Sequence, residues 1–347
     1  MRIFPGMKRS HWTALGAVAV GAWAVTRALR SRFSFANKIV VITGGSRGLG
    51  LVIARHLARE GARLALLARD PEELAVAKSD VEAYGAEVLT VTCDLTDRAQ
   101  VSSAAETILT YFGAIDVLIN NAGAIEVGPL MHMTREDFER SLGIHFWAAR
   151  DLTMRLVPEM KKRGRGRIVN ISSIGGKVAM PHLAPYTAGK FALSGFSDSV
   201  RAELAADGIY ITTVAPGLMR TGSHVNARFK GDHQAEFAWF SFTNGLPIVS
   251  MSAERAAAKI IAACRRGQPS LTLTFAARVA IAANAIAPNI TGYAMKIVNQ
   301  FLPRPAPENG HKLQTGWESR GNEPNFFTRH LDQATMRNNE DQATRLK

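Results

Sequence analysis

The sequence predicts an α/β protein built on a doubly wound parallel sheet, and three observations lead to that prediction. Short apolar, β-branched runs alternate with longer segments in which apolar residues recur at helical spacing. The runs are apolar along their whole length, as in strands that are covered on both faces. A glycine-rich stretch, TGGSRGLG at 43–50, follows the first run directly and opens the first helical segment.

The individual elements follow in order along the chain. Strands are expected at 38–43, 63–68, 87–93, 115–120, 166–172, 209–215 and 270–275. Helices are expected at 48–61, 71–85, 98–113, 134–158, 185–207 and 252–267. Pro71 stands where a helix can begin, and Gly61 and Gly85 stand where helices end, so they support these boundaries.

The pattern divides the chain into four regions. They are a hydrophobic and basic segment at 1–36, one α/β domain at 37–275, an apolar helical extension at 276–302 and a polar tail at 303–347. The 347 residues carry a net charge of +13, but seven of these charges lie in the first 38 residues and one in the tail. The remaining +5 does not predict a nucleic-acid partner. Two distant cysteines, Cys93 and Cys264, favour a reducing compartment.

The N-terminal segment has the composition of a membrane anchor. Residues 10–26 carry no formal charge, have basic residues on both sides and reach the lower limit of about 17 residues for a spanning helix. We expect a membrane-associated protein whose α/β domain faces the cytoplasm. Two alternatives stay open, namely a signal peptide cleaved near the AWA at 22–24 and an ordinary helix packed on the body.

The glycine stretch predicts an anion site at the start of the first helix. Gly44 permits a tight turn, and Gly48 and Gly50 let the backbone approach a pyrophosphate. Exposed N–H groups and the helix dipole favour an anion at this position. The strand, turn and helix therefore form the arrangement that binds dinucleotides.

The end of the second strand indicates which dinucleotide is bound. Ala68 stands where an acidic residue would hold a free ribose 2′-hydroxyl. Arg69 follows it and Arg47 lies in the glycine turn, and two guanidinium groups suit a 2′-phosphate. We therefore expect NADP(H) rather than NAD(H), although both arginines can equally be solvated surface residues.

Six motifs carry a resemblance to the short-chain dehydrogenase/reductase family, and in particular to its ketoreductase-like members, over about residues 38–275. They are TGGSRGLG (43–50), CDLTD (93–97), NNAG (120–123), NISS (170–173), YTAGK (186–190) and APGLMRTG (215–222). The resemblance implies a Rossmann-type fold. It also implies an NADP(H)-dependent oxidoreductase that interconverts a carbonyl and a secondary alcohol. The alternative is a non-catalytic protein of the same fold that binds the cofactor.

By this resemblance, Ser173, Tyr186 and Lys190 match the catalytic serine, tyrosine and lysine. Tyr186 and Lys190 are four residues apart, so they share one helix face. We expect the ammonium of Lys190 to lower the pKa of Tyr186 and make the phenol a usable general acid/base. Ser173 ends a strand at the carboxyl edge of the sheet and can hydrogen-bond the carbonyl oxygen.

The resemblance also implies the cofactor contacts. They are expected at Gly44, Ser46, Arg47, Gly48, Leu49, Gly50, Arg69, Asp94, Asn121, Pro216, Gly217 and Thr221, with Tyr186 and Lys190 shared with the catalytic set. Of these, Asp94 would touch the adenine and Asn121 would line the cofactor cleft. Pro216, Gly217 and Thr221 would border the nicotinamide. No metal site is expected.

His145 departs from the family pattern. It lies in GIHFWA (143–148), at the position where the family often has an asparagine that supports a water next to the lysine. An imidazole can donate and accept hydrogen bonds, so His145 can keep such a relay. Simple packing in the core is the alternative, and the two interpretations stay equal.

The region after the last motif holds the expected substrate contacts. Phe237, Trp239, Phe240 and Phe242 predict an apolar lid over a lipophilic small-molecule carbonyl or alcohol, or else a helix packed on the body. We expect the extension at 276–302 to cap the domain, with contact to a membrane surface as the alternative. A homo-oligomer is expected by analogy only.

Overall fold

A computed structural model of the protein describes residues 33–245, 250–305, 310–320 and 329–340. The predicted anchor at 10–26 lies outside the described residues. Among the helices of the described ranges, none combines the length and the apolar character needed to cross a lipid bilayer.

The central sheet has seven parallel strands, which confirms the predicted doubly wound architecture. They are β1 (Ile39–Thr43), β2 (Arg63–Ala68), β3 (Val88–Thr92), β4 (Val117–Asn120), β6 (Gly166–Ile171), β7 (Ile209–Ala215) and β11 (Ser270–Thr272). The order across the sheet is β11-β7-β6-β4-β1-β2-β3. The order reverses beside β1, the strand that leads into the glycine turn, and ligands bind at such a point in this architecture.

Helices cover both faces of the sheet. They are α1 (Gly48–Arg59), α2 (Pro71–Glu82), α3 (Arg98–Phe112), α4 (Arg135–Leu142), α5 (Ala148–Lys162), α6 (Ala184–Ala206), α7 (Ser223–Asn226), α8 (His233–Gly245) and α9 (Ala253–Arg265). Successive residues of β1 point to opposite faces, so Val40 packs in one apolar cluster with α1 and α9 while Val41 packs in the other with α3 and α5. Burial on both faces explains why these strands are apolar throughout.

The expected single helix at 134–158 is two helices joined by a π-helical turn. The turn covers Gly143–Trp147 and contains His145, and the backbone continues without a break into α5. A π-helical turn adds a residue to the helical repeat and changes which side chains face inward. It directs His145 into the core at 1% exposure while Trp147 remains 52% exposed.

Short strands extend the domain at the carboxyl edge of the sheet. They are β5 (Glu126–Val127), β8 (Leu218–Arg220), β9 (Arg228–Phe229), β10 (Ser250–Ser252) and β12 (Gln314–Thr315). β8 pairs with β10, and β9 lies between β5 and β12. The polar tail supplies β12 and two helices, α12 (Gly316–Ser319) and α13 (Arg329–Arg337), which are numbered after the helices of the extension.

The extension does not cap the domain, so that expectation is wrong. It forms two helices, α10 (Phe275–Ile286) and α11 (Pro288–Gln300), which we call the C-terminal helical pair. Ala277 is the buried residue of α10, and α11 has none. Packing fails to bury them because α11 lies chiefly against α10, and the apolar side chains of both helices point outward.

Candidate active site

Ser173 and Tyr186 meet at the carboxyl edge of the sheet. Ser173 lies two residues beyond the end of β6, where a short 3₁₀ turn begins at Ile174, and its Oγ accepts a hydrogen bond from the Gly175 N–H at 3.0 Å. Tyr186 lies in the first turn of α6, and its hydroxyl forms a hydrogen bond with the Ser173 side chain. The two hydroxyl groups that the sequence assigned to the substrate oxygen are therefore adjacent.

Lys190 lies one helical turn after Tyr186, as the four-residue spacing predicts. Its Nζ is 5.8 Å from the centre of the Tyr186 ring and donates a hydrogen bond to the Ile171 carbonyl at 2.9 Å. The residue is 4% exposed. The carbonyl at the end of β6 thus holds the ammonium in a fixed place beside the tyrosine.

The pKa values of this pair differ from the expectation. Burial raises the pKa of Tyr186 above its usual value of 10, and the hydrogen bond from Ser173 offsets only part of that effect. Burial also lowers the pKa of Lys190 from 10.5 to about 7. The expected lowering of the tyrosine pKa is therefore wrong for this structure, because burial disfavours the charged form of each group.

His145 lies next to Tyr186. Its ring packs edge-on against the Tyr186 ring, and its Nε2 lies 2.8 Å from the Ala124 carbonyl oxygen. A carbonyl oxygen only accepts, so Nε2 carries the proton and Nδ1 is left as an acceptor. Burial and the nearby Lys190 ammonium hold the pKa of His145 well below 6.5. The imidazole is therefore neutral at pH 7.

The unprotonated nitrogen of His145 faces the lysine. A Cβ atom placed on Gly123 would lie 3.0 Å from His145 Nδ1 and 3.5 Å from Lys190 Nζ, so both atoms border the same space. Nδ1 is buried and makes no hydrogen bond within the described residues. A cavity of about 10 Å³ also touches His145, close to the volume that one water needs. The ring thus both packs in the core and presents an acceptor toward Lys190.

The glycine turn has the backbone shape that an anion site requires. Gly48 begins α1 with φ +57°, a conformation that other residues adopt only with strain. Asn121 fixes the turn from the neighbouring strand, because its Nδ2 donates to the carbonyls of Thr43 and Gly44, each at 3.1 Å. Asn121 thus shapes the predicted cleft through the backbone of the turn.

One acidic residue in this region was not predicted. Glu73, in the first turn of α2, accepts a hydrogen bond from Ser46 Oγ at 2.7 Å and pairs with Arg47 Nη1 at 3.0 Å. Arg47 is therefore already neutralised by a carboxylate, which the sequence did not indicate. Arg69 is exposed after the end of β2. Burial raises the pKa of Asp94, but hydrogen bonds from Thr96 and the charge of Arg69 together lower it.

The remaining predicted cofactor residues line the same edge of the sheet. The Pro216 carbonyl accepts from the Ile174 N–H at 2.7 Å, which joins the strand end of β7 to the turn that carries Ser173. Thr221 is 4% exposed and lies beside Gly222. Leu49 is buried in the first turn of α1. These residues therefore follow strands of the central sheet at its carboxyl edge, where Ser173 also lies.

An apolar cluster lies next to Tyr186. Its buried members are Val127, Leu183, Val225, Ala227, Phe229, Phe237 and Phe240, and Tyr186 and Trp239 pack against it. Two of the four predicted lid aromatics are thus core residues of this cluster, whereas Phe242 is 46% exposed. The helix that carries these aromatics is α8. It packs on the body, as one interpretation expects, and it borders Tyr186, as the lid interpretation expects.

Comparison with known proteins agrees with this geometry. The chain matches the short chain dehydrogenase family over residues 38–230, more than half of its length. The chain belongs to that family.

Three relatives of this short-chain dehydrogenase illustrate the likeness. Dehydrogenase/reductase SDR family member 7B of Bos taurus is 38% identical over 57% of this chain and 63% of its own length. The fatty acyl-CoA reductase of Acinetobacter baylyi is 32% identical over 77% of this chain and 86% of its own. The structure of L-sorbose reductase from Gluconobacter frateurii with NADPH and L-sorbose has 27% identity and a TM-score of 0.63, over 70% of this chain and 96% of its own. The chain thus spans just under two thirds of the bovine relative.

The family implies a nicotinamide cofactor, and the residues of this short-chain dehydrogenase fit its phosphates. The anion position at the start of α1 already holds a carboxylate, because Glu340 of the tail lies there. Its Oε1 would be 3.0 Å from a Cβ on Gly48, and its Oε2 accepts from the Gly222 N–H at 2.6 Å. A pyrophosphate accepts hydrogen bonds from backbone N–H groups at the start of a helix, and a glycine leaves room for it because it has no side chain. Sequence reasoning missed Glu340, and no motif marks it.

Proposed function

We propose that this short-chain dehydrogenase is an NADP(H)-dependent oxidoreductase that interconverts a lipophilic ketone and a secondary alcohol. The observation that carries the proposal is the hydrogen-bonded pair of Ser173 and Tyr186 beside the buried ammonium of Lys190. The nicotinamide supplies or accepts the hydride when it is bound. The protein's own side chains carry out all the other steps.

The three side chains divide the work on the substrate oxygen. Ser173 donates a hydrogen bond to the carbonyl and orients it. Tyr186, whose raised pKa keeps the phenol protonated at pH 7, gives its proton to the oxygen during reduction. Lys190, with a pKa of about 7, is half-protonated at neutral pH and can return a proton toward the tyrosine. His145 Nδ1 is the acceptor that lies next to Lys190 on this proton path.

The choice of NADP(H) rests on the end of β2. Ala68 offers no carboxylate to a ribose 2′-hydroxyl, and the exposed Arg69 beside it can pair with a 2′-phosphate. Arg47 is already paired with Glu73, so Arg69 is the arginine that we assign to the 2′-phosphate. The sorbose reductase was solved with NADPH and a xylitol dehydrogenase of the same fold with NAD⁺, so the support lies in these residues of the chain itself.

The lipophilic substrate is supported by the apolar cluster against which Tyr186 packs. A related fatty acyl-CoA reductase points in the same direction. The test is NADPH consumption with straight-chain methyl ketones of increasing length. We expect kcat/KM to rise by about threefold to fourfold per added methylene, the equivalent of about 0.8 kcal/mol, until the cleft is filled. A preference for short, polar ketones would contradict the proposed substrate class.

The proposal also places the enzyme at a membrane. The uncharged stretch at 10–26 is one support, and the exposed face of the C-terminal helical pair is the other. Large apolar side chains repeat at helical spacing along both helices and are all at least half exposed, namely Phe275, Val279, Ile286, Ile290, Tyr293, Ile297 and Phe301. The occupant we assign to this face is an anionic lipid surface.

Charge favours lipid over a second copy of the chain as the occupant. No Asp or Glu occurs between Arg255 and Pro307, whereas Arg278, Lys296 and Arg304 are exposed around the apolar face. Apolar side chains with flanking cations are the pattern of helices that lie in the membrane interface. The net charge of +5 on residues 39–302 also favours an anionic lipid surface.

The membrane contact is tested in the full-length chain with a fluorophore attached at Ile290→Cys. The native Cys93 and Cys264 are buried, so the label goes to the introduced thiol. Vesicles with phosphatidylglycerol and brominated acyl chains should quench this label but not one at Val76→Cys, an exposed apolar position on α2. Vesicle-bound protein without quenching at Ile290 contradicts the contact. If the fluorescence of the label at Ile290→Cys changes with protein concentration but not with added vesicles, the exposed face contacts a second copy of the chain instead.

A further inference from the structure

The tail segment 338–340 fills the anion position at the start of α1. Among the hydrogen bonds that hold it there, the Gly48 N–H donates to the Asn338 carbonyl at 2.9 Å, the Gly222 N–H to Glu340 Oε2 at 2.6 Å, and Asn339 Nδ2 to the Ser46 carbonyl at 3.0 Å. Asn338 and Glu340 are 1% and 6% exposed. The segment is therefore seated in the cleft.

The groups that the tail occupies are those a cofactor needs. The N–H of Gly48 belongs to the free N-terminus of α1, where a pyrophosphate would lie. Glu340 brings a carboxylate to the same place, bounded on the other side by Gly222 next to Thr221. A carboxylate and a phosphate both accept hydrogen bonds from backbone N–H groups, so the two compete for one set of donors.

The tail is also attached to α1 from outside the cleft. Arg55 donates to the Asn338 side-chain oxygen at 3.2 Å and to the Arg337 carbonyl at 3.0 Å. Leu331 and Ala334 of α13 are buried. The Arg337 contact and the buried residues of α13 lie outside 338–340, so these three residues can leave the cleft while α13 remains against the body.

We propose that residues 338–340 are an autoinhibitory plug that must leave the glycine turn before the cofactor's pyrophosphate can bind. The proposal rests on the cofactor site described above. It makes cofactor affinity a balance between the plug and the cofactor, since only chains with an open cleft can bind. Any condition that weakens the seating of Glu340 raises that affinity.

The decisive measurement is hydrogen exchange of the full-length chain with and without NADPH. In the seated tail, Asn338 and Glu340 are buried, which keeps water from their amides in addition to the hydrogen bonds that these amides donate to the Ala334 and Thr335 carbonyls of α13. Saturating NADPH should increase their exchange while β1 and β4 stay protected. Unchanged or slower exchange at 338–340 means that the tail stays seated beside the cofactor, and overturns the proposal.

The second arm measures NADPH affinity by fluorescence for Glu340→Ala, with Met336→Ser as the control on the exposed side of α13. If a tenth of the chains are open, removal of the plug tightens binding by about tenfold. Unchanged or weaker binding by a folded Glu340→Ala protein also overturns the proposal. Inorganic pyrophosphate is the independent probe. If pyrophosphate releases the tail although the protein does not bind NADPH, the proposed cofactor is wrong but the proposal that residues 338–340 are a plug still holds.

Discussion

The His145 ring stands edge-on to the Tyr186 ring, with centroids 5.2 Å apart and an angle of 89° between the planes. Edge-to-face contact of this kind orients the phenol while leaving its hydroxyl free for Ser173. The π-helical turn is the feature that makes the contact, because it turns His145 toward the site. One side chain therefore fills the core and orients the general acid.

His145 is expected to act as a positioning residue through its acceptor nitrogen. His145→Asn should keep kcat and stability, because an amide can accept from the Lys190 side and donate to the Ala124 carbonyl. His145→Leu should lower kcat by about a hundredfold, at the low end of what positioned proton-transfer groups contribute, with little change in KM. Its pH–rate profile should also shift. If His145→Leu loses stability but keeps its pH–rate profile, the residue is only a packing group.

Lys190 should couple activity and stability to pH. Its pKa of about 7 in the folded chain lies below the ordinary 10.5, so between these values the unfolded chain holds a proton that the folded chain has released. The free energy of unfolding contributed by this group therefore rises with pH across that interval and is lowest below pH 7. Urea unfolding at pH 7, 8 and 9 should show this slope in the native protein and a weaker one in Lys190→Met. The exposed Lys296→Met is the control, and equal slopes in all three would rule out the buried ammonium.

Ala68→Asp should shift the cofactor preference toward NADH. The new carboxylate would accept from a free 2′-hydroxyl and repel a 2′-phosphate, and a charged hydrogen bond of about 1.5–3 kcal/mol corresponds to a change of about tenfold or more. The ratio of kcat/KM for NADPH and NADH measures it. Ala83→Asp, at the far end of α2, controls for net charge. An unchanged ratio would show that Ala68 does not face the ribose.

The buried pair of Lys230 and Asp137 should stabilise the small sheet beside the site. The Nζ–Oδ2 distance is 2.6 Å and both side chains are at most 6% exposed, so Lys230→Met removes the buried partner of the carboxylate and leaves the more exposed Arg140 as its counter-charge. We expect the free energy of unfolding to fall by about 3 kcal/mol. The exposed pair of Arg135 and Glu139 is the control, and Arg135→Met should cost less than about 1 kcal/mol. Equal losses in the two variants would contradict the difference in burial.

The same pair should make the fold sensitive to acid. Burial raises the pKa of Asp137, but the hydrogen bonds from Lys230 and the Thr134 backbone, together with the charges of Lys230 and Arg140, outweigh burial and lower the pKa from 3.8. A carboxyl with a lowered pKa contributes stability above about pH 4 and loses it as the pH falls through the folded value. Unfolding curves from pH 6 to pH 3 should show this loss, and Asp137→Asn should show a smaller one. An equal loss in the variant would assign the acid sensitivity to other carboxyls.

The strands and the catalytic edge were predictable because their signals are local. β2 and β7 match the expected ranges residue for residue, since both are apolar runs buried on two faces. The spacing of Tyr186 and Lys190 fixes their shared helix face in the same way.

Other features depend on contacts that no local pattern encodes. The π-helical turn follows from how α4 and α5 pack, and the ion pair of Glu73 with Arg47 from how α2 faces the glycine turn. The seating of Asn339 on Ser46 joins residues 293 positions apart through polar atoms alone. A polar tail gives no hydrophobic period, so its place in the cleft could not be read from the sequence.

The most direct test of the proposed chemistry compares the native chain with Tyr186→Phe, which removes one hydroxyl and keeps the ring against His145. NADPH binding is measured by fluorescence and ketone reduction by NADPH consumption. We expect both proteins to bind NADPH with similar affinity, and reduction by the variant to fall by about a hundredfold or more. A variant that reduces ketones at the native rate would show that Tyr186 is not the proton donor and would contradict the assigned active site.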